Sequence, residues 1–139
     1  MNNEIYLRDY CGEPSVFNIN ALSMANKNYR LALWTGKYLQ VTLMSIPVGG
    51  EIGLEVHPDT DQFIRITGGM GLALLGDRKD NLTKRVRING NYAVVVPAGT
   101  WHNIKNIGRT PLKIYTIYAP PHHPAGTIQR TKAEADKEE

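Results

Sequence analysis

From residue 31 onward, short runs rich in valine, isoleucine, leucine and tyrosine alternate with glycine, proline, asparagine and aspartate. That rhythm predicts strands at 31–35, 39–46, 52–57, 63–67, 70–75, 83–88, 92–96, 102–106 and 112–118. Many short strands with tight connections indicate an all-β sandwich or barrel rather than a βαβ alternation. Helical signals are short and peripheral. Asn20 is placed to cap one turn over 20–24, and Thr131 with Glu134 has capping-box spacing for a charged C-terminal helix. The segment 119–126, with three prolines and two histidines, reads as an irregular crossing.

Composition narrows this picture. A chain of 139 residues with 42% hydrophobic and 21% charged residues fits one globular domain over 1–139, its barrel core at about 31–118 and a tail at 119–139. No stretch approaches the roughly 20 apolar residues that cross a bilayer. Residues 1–10 carry Glu4 and Asp9 and lack a basic region followed by an apolar run, so a cytoplasmic location is expected. Cys11 is the sole cysteine, which excludes an internal disulfide and a multi-thiolate zinc site. Any metal must therefore be held by nitrogen and oxygen. The net charge of +3 is small; Arg78, Lys79, Lys84, Arg85 and Arg87 are interrupted by Asp77 and Asp80 with no interleaved aromatics. That stretch reads as a solvated hairpin, not a nucleic-acid surface.

Candidate chemistry lies in two segments. Glu55 and His57 are one residue apart, so on a strand both side chains leave the same face. Gln62 follows the turn Pro58-Asp59-Thr60-Asp61, and a strand pairing back would aim it at the same interior. In the second segment, Val94-Val95-Val96 leads through Pro97-Ala98-Gly99-Thr100 to Trp101 and His102, a strand and tight turn that can return His102 to that cavity.

These residues resemble the two motifs of the cupin superfamily. Gly49, Glu55, His57, Gln62 and Gly69 fall on the spacing of the first motif, and Pro97, Gly99, His102 and Asn106 on that of the second. The leading glycine of the second motif is displaced, Gly90 standing one residue too far from Pro97. The resemblance implies a single-domain jelly-roll barrel, a homodimer, and a divalent transition metal such as iron, manganese, zinc or nickel on Glu55, His57, Gln62 and His102. Two positions depart from the family: Glu55 replaces the first histidine and Gln62 the glutamate. The implied set is two histidines, one carboxylate and one amide, suited to iron(II) and acceptable to manganese or zinc. A rival register puts Asp61 in the fourth position. Alternation favours Gln62, whose face carries Ile64 and Ile66, whereas the face of Asp61 would bury Arg65.

Segments such as Gly53-Leu54-Glu55-Val56-His57-Pro58 and Tyr118-Ala119-Pro120-Pro121 are similar to small bacterial cupins labelled mannose-6-phosphate isomerase-like. The resemblance thus implies a metal-dependent enzyme on a small polar molecule, either a sugar or sugar-phosphate isomerase or an iron-type oxygenase. The alternatives are a non-catalytic module binding a small ligand and a degenerate barrel kept for partner contacts. The remaining aromatic and histidine residues read more plainly. His122 and His123 are expected as surface loop residues, Tyr115 and Tyr118 on opposite faces of the last strand, and Trp34 and Trp101 as packing residues. Exposed Trp, Tyr and Phe63 side chains on the outer sheet are expected to supply the dimer face.

Overall fold

A computed structural model of the chain describes residues 6–138. Residues 1–5, part of the stretch read for a leader, lie outside the described residues. In chain order the elements are α1 (Ile19–Ala25), β1 (Arg30–Thr35), β2 (Gln40–Ile46), β3 (Asp61–Gly68), β4 (Met70–Gly76), β5 (Lys84–Asn89), β6 (Ala93–Val96), β7 (Trp101–Asn106), β8 (Leu112–Ala119), β9 (Ile128–Gln129) and α2 (Lys132–Lys137). They form a six-stranded sheet in the order β6-β3-β8-β2-β1-β9 and a three-stranded sheet in the order β5-β4-β7. The all-β jelly-roll expectation is therefore met.

One residue joins the sheets between β3 and β4. Gly69 has φ +89°, and a Cβ there would lie 2.9 Å from the Pro111 carbonyl oxygen, so both conformation and space require glycine.

Strand register sorts the large sheet into two faces. The inner face carries Met44, Ile114 and Ile66 in one cross-strand row, Thr42, Thr116 and Ile64 in the next, and Gln40, Tyr118 and Gln62 in the third. All nine are buried. The apolar rows pack with Ile46, Ala73, Ile88, Ile104 and Leu112 into the barrel core. Each isoleucine, leucine and methionine among them contributes about 1.5–3 kcal/mol by leaving water. The third row is polar.

The outer face buries Leu31, Leu33 and Leu43 beneath Leu7, Tyr10, Phe17, Ile19 and Leu22 of the N-terminal segment. This changes the expected dimer face. Tyr115 is covered by that segment, Trp34 donates Nε1–H to the Glu13 carbonyl at 2.7 Å, and Phe63 is half-buried. Tyr115 and Tyr118 do take opposite faces, as alternation requires.

Two local expectations are corrected and one element is added. The cap of α1 is Asn18, whose Oδ1 accepts from the Ala21 amide at 3.1 Å, and Asn20 lies inside the helix. The earlier start lets Ile19 and Leu22 together cover the sheet. The expected strand 52–57 is absent as such: only Glu51 and Glu55 make isolated bridges, to Lys105 and His102. Gly53, at φ +103°, breaks the run, and its amide donates to Asn103 Oδ1 at 2.9 Å. The short β9 edge was not anticipated, a two-residue strand being too brief to show periodicity.

Candidate functional site

The interruption at Gly53 does not separate the candidate ligands, because another pairing replaces strand alternation. The Glu55 amide donates to the His102 carbonyl at 3.0 Å and the His102 amide to the Glu55 carbonyl at 2.9 Å. Two antiparallel residues exchanging both bonds stand directly opposite, so their side chains share a face. His57 is fixed from the other side: its carbonyl accepts from the Gly99 amide at 2.9 Å, within the turn closed by Thr100 N–H to Pro97. The sharp Pro/Gly turn thus places His57 and His102 together.

Glu55 Oε1 lies 3.3 Å from His57 Nε2 and 3.4 Å from His102 Nε2. Ligand atoms of all three residues lie within 4.8 Å of one another. Neither contact has hydrogen-bond angles, so both ring nitrogens are buried without a partner. The tautomer of His102 follows from its other nitrogen. Nδ1 is 3.0 Å from the Thr100 carbonyl, which can only accept, so Nδ1 carries a proton and Nε2 is the nitrogen turned inward. Burial alone raises the Glu55 pKa, but the contacts with His102 and His57 outweigh it and hold the carboxyl below the ordinary carboxylate range. These are the features of a cation site: two buried imidazole nitrogens converging on one carboxylate oxygen.

Gln62 belongs to the same interior. Its side chain is buried beside Tyr118 on the inner face, with Oε1 unpartnered. Asp61 is exposed and accepts from the Ala98 amide at 2.9 Å, which positions the turn before His102. Gln62, not Asp61, is the buried member of the pair. Asn106 is structural, donating to the Ile46 and Thr110 carbonyls at 3.0 Å each.

The histidine pair departs from expectation. His122 is exposed, yet its ring centroid is 4.2 Å from that of His57. His123 is half-buried with Nε2 3.4 Å from the Tyr118 hydroxyl. The plain surface-loop reading assumed extended chain, on which adjacent side chains diverge. Here Gln40 folds the segment inward: its Oε1 accepts from the His122 and His123 amides at 3.2 and 2.9 Å, and its Nε2 donates to the His123 carbonyl at 2.8 Å. Burial, followed by the nearby His57, lowers the pKa of His122; burial and then Arg30 lower that of His123 to about 3. Burial raises that of Tyr118 against the opposing charge of Arg30. Gln40 was missed because its partners are some 80 positions away.

A cavity of about 500 Å³ lies apart from the triad, between the free edges of β5 and β6, with Leu75, Val86, Tyr92, Val95 and Thr100 among its lining. Convergent donors, rather than cavity size, locate the candidate site.

The family model described as "Cupin domain" matches residues 42–118, which include every residue of the triad. The chain belongs to the cupin family. It is 52% identical to the uncharacterized protein YrkC of Bacillus subtilis over 96% of this chain and 72% of that protein. The uncharacterized protein L612 of Acanthamoeba polyphaga mimivirus is 45% identical over 81% of this chain and 69% of its own length. The crystal structure of BH2720 from Bacillus halodurans is 52% identical and superposes with a TM-score of 0.93, covering 94% of this chain and 98% of that one. Among the described residues, no helix of this cupin is long and apolar enough to cross a membrane.

Proposed function

We propose that this cupin is a metal-dependent enzyme acting on a small polar molecule, with Glu55, His57 and His102 holding a divalent transition metal and Gln62 as a fourth, weaker oxygen donor. The observation that carries this reading is the pair of buried, unpartnered imidazole nitrogens facing one carboxylate oxygen. A buried polar atom without a partner costs about 1–3 kcal/mol, and a cation at the common point would satisfy both nitrogens. Two imidazoles and one carboxylate suit iron(II), with manganese, zinc or nickel as further candidates. When bound, the metal supplies Lewis-acid polarisation of a substrate oxygen. The chain's own part is to fix the His102 tautomer through Thr100 and to close the mouth with His122.

Sugar or sugar-phosphate isomerisation and iron-type oxygenation are the two reactions this donor set accommodates; oxygen consumption in the presence of substrate separates them. The protein is further proposed to act in the cytoplasm, as one domain, and as a homodimer. Val86 and Val95, exposed on the free edges of β5 and β6, and Tyr92 just before β6 offer one apolar surface for a dimer contact. Elemental analysis after purification without chelators tests the metal centre. One transition-metal equivalent per chain, lost in Glu55→Ala and His102→Ala, is expected; a metal-free chain after folding with iron, manganese and zinc overturns it.

A further inference from the structure

The barrel interior holds a cation that the metal centre does not use. Arg30 pairs across β1 and β2 with Met44, a member of the inner-face core, so its side chain enters the barrel. It is 4% exposed. Among the described residues it forms no ion pair, and its guanidinium makes one hydrogen bond, Nη1–H to Gln129 Oε1 at 2.7 Å. Gln129 in turn donates Nε2–H to Glu138 Oε2 at 2.7 Å, so an amide stands between the arginine and the nearest carboxylate in this chain of contacts. Arg30 Nε is buried with no partner.

A guanidinium removed from water without a counter-charge is costly, by several kcal/mol, and proteins ordinarily pair it or leave it wet. The other orphaned atoms indicate what is missing. Among the described residues, six buried side-chain polar atoms lack a partner, and four of them, Arg30 Nε, His57 Nε2, Gln62 Oε1 and His102 Nε2, belong to residues that face the barrel interior. A metal would satisfy the histidines and does nothing for Arg30. The edge formed by Nε and Nη2 presents two parallel N–H bonds in a plane, the geometry that matches the two oxygens of a carboxylate. Its surroundings add the Tyr29 ring, whose centroid lies 5.3 Å from the guanidinium carbon, and Tyr118, on whose hydroxyl the Arg30 charge acts.

We infer that Arg30 is a receptor for a carboxylate of the small molecule bound in the barrel, so that the substrate class is a small organic acid. This rests on the metal-centre reading only for the fate of the rest of the molecule, which would extend toward Glu55, His57 and His102. Charge counting argues for a carboxylate over a phosphate: one unpaired guanidinium neutralises a monoanion, whereas a phosphate dianion would bury excess negative charge beside Glu55.

The test is binding of malonate, with malonamide and inorganic phosphate as controls, to metal-depleted and metal-loaded full-length protein by calorimetry. Malonate is expected to bind both forms and malonamide neither, and Arg30→Gln is expected to weaken malonate by at least about 30-fold. Arg30→Lys, which keeps the charge and removes the planar fork, serves if the glutamine variant does not fold. Independently of any variant, the Arg30 Nε–H resonance of the wild-type protein is expected to shift on malonate titration. No malonate binding, equal binding to Arg30→Gln, an unmoved Nε–H signal, or tighter binding of phosphate than of malonate each overturns the inference. A chain that binds malonate through Arg30 yet retains no metal leaves this inference standing and sinks the metal centre. A chain that holds metal and ignores malonate does the reverse.

Discussion

Replacing Gln40 by leucine isolates what holds the 119–126 segment over the barrel mouth. Gln40 is fully buried and makes four hydrogen bonds: from the His122 and His123 amides, to the His123 carbonyl, and to Thr35 Oγ1 at 3.0 Å. Leucine is close in volume, so the loss is of polarity rather than of packing. At about 0.5–1.5 kcal/mol net for each bond, the four sum to about 2–6 kcal/mol. The lower half of that range applies, because the released loop amides can be rehydrated and Thr35 still donates to Asp9 at 2.6 Å. We therefore expect a loss of about 3 kcal/mol in urea denaturation; at roughly 2.1 cal/mol/K per residue this lowers Tm by about 10 °C. Amide hydrogen exchange at His122 and His123 should accelerate by about 100-fold if only the loop opens. A stability loss below about 1 kcal/mol, together with unchanged protection of those two amides, would refute the role assigned to Gln40.

Gly69→Ala should destabilise by more than about 1 kcal/mol, read from the urea midpoint, since the Cβ meets the Pro111 oxygen at 2.9 Å in a left-handed conformation. A neutral substitution would show that the crossing between sheets tolerates another path. Saturating metal, at about 100 times its dissociation constant, should add about 2.7 kcal/mol and so about 9 °C to Tm. That shift should vanish in His102→Ala, and its persistence there would place the metal elsewhere. His123 is held near a pKa of about 3 when folded, against 6.5 for a free imidazole. The unfolded chain therefore binds more protons between these values, and stability should fall as pH drops from about 6.5 toward 3. His123→Gln should flatten that slope in urea titrations; an unaltered slope would mean that His123 is not held neutral.

The strand rhythm of residues 31–118 and the spacing of Glu55, His57 and His102 were legible in the chain, because alternation and turn chemistry are local properties. Thr131 capping α2 through Glu134 was legible for the same reason. Even the choice of Gln62 over Asp61 followed from which parity buries isoleucine rather than arginine. Alternation can also mislead: Gly53 broke the expected strand at 52–57, and the common face of Glu55 and His102 came from a two-bond pairing across 47 residues instead. What the tertiary structure decided were contacts whose partners are remote. Gln40 draws His122 onto His57 from more than 80 residues away, and the register of β1 on β2, together with β9 at its edge, turns Arg30 into the barrel, where it has no counter-charge among the described residues. A sequence shows that residues alternate between two faces. Only closure of the sheets determines which face becomes an interior, and which charges it isolates from water.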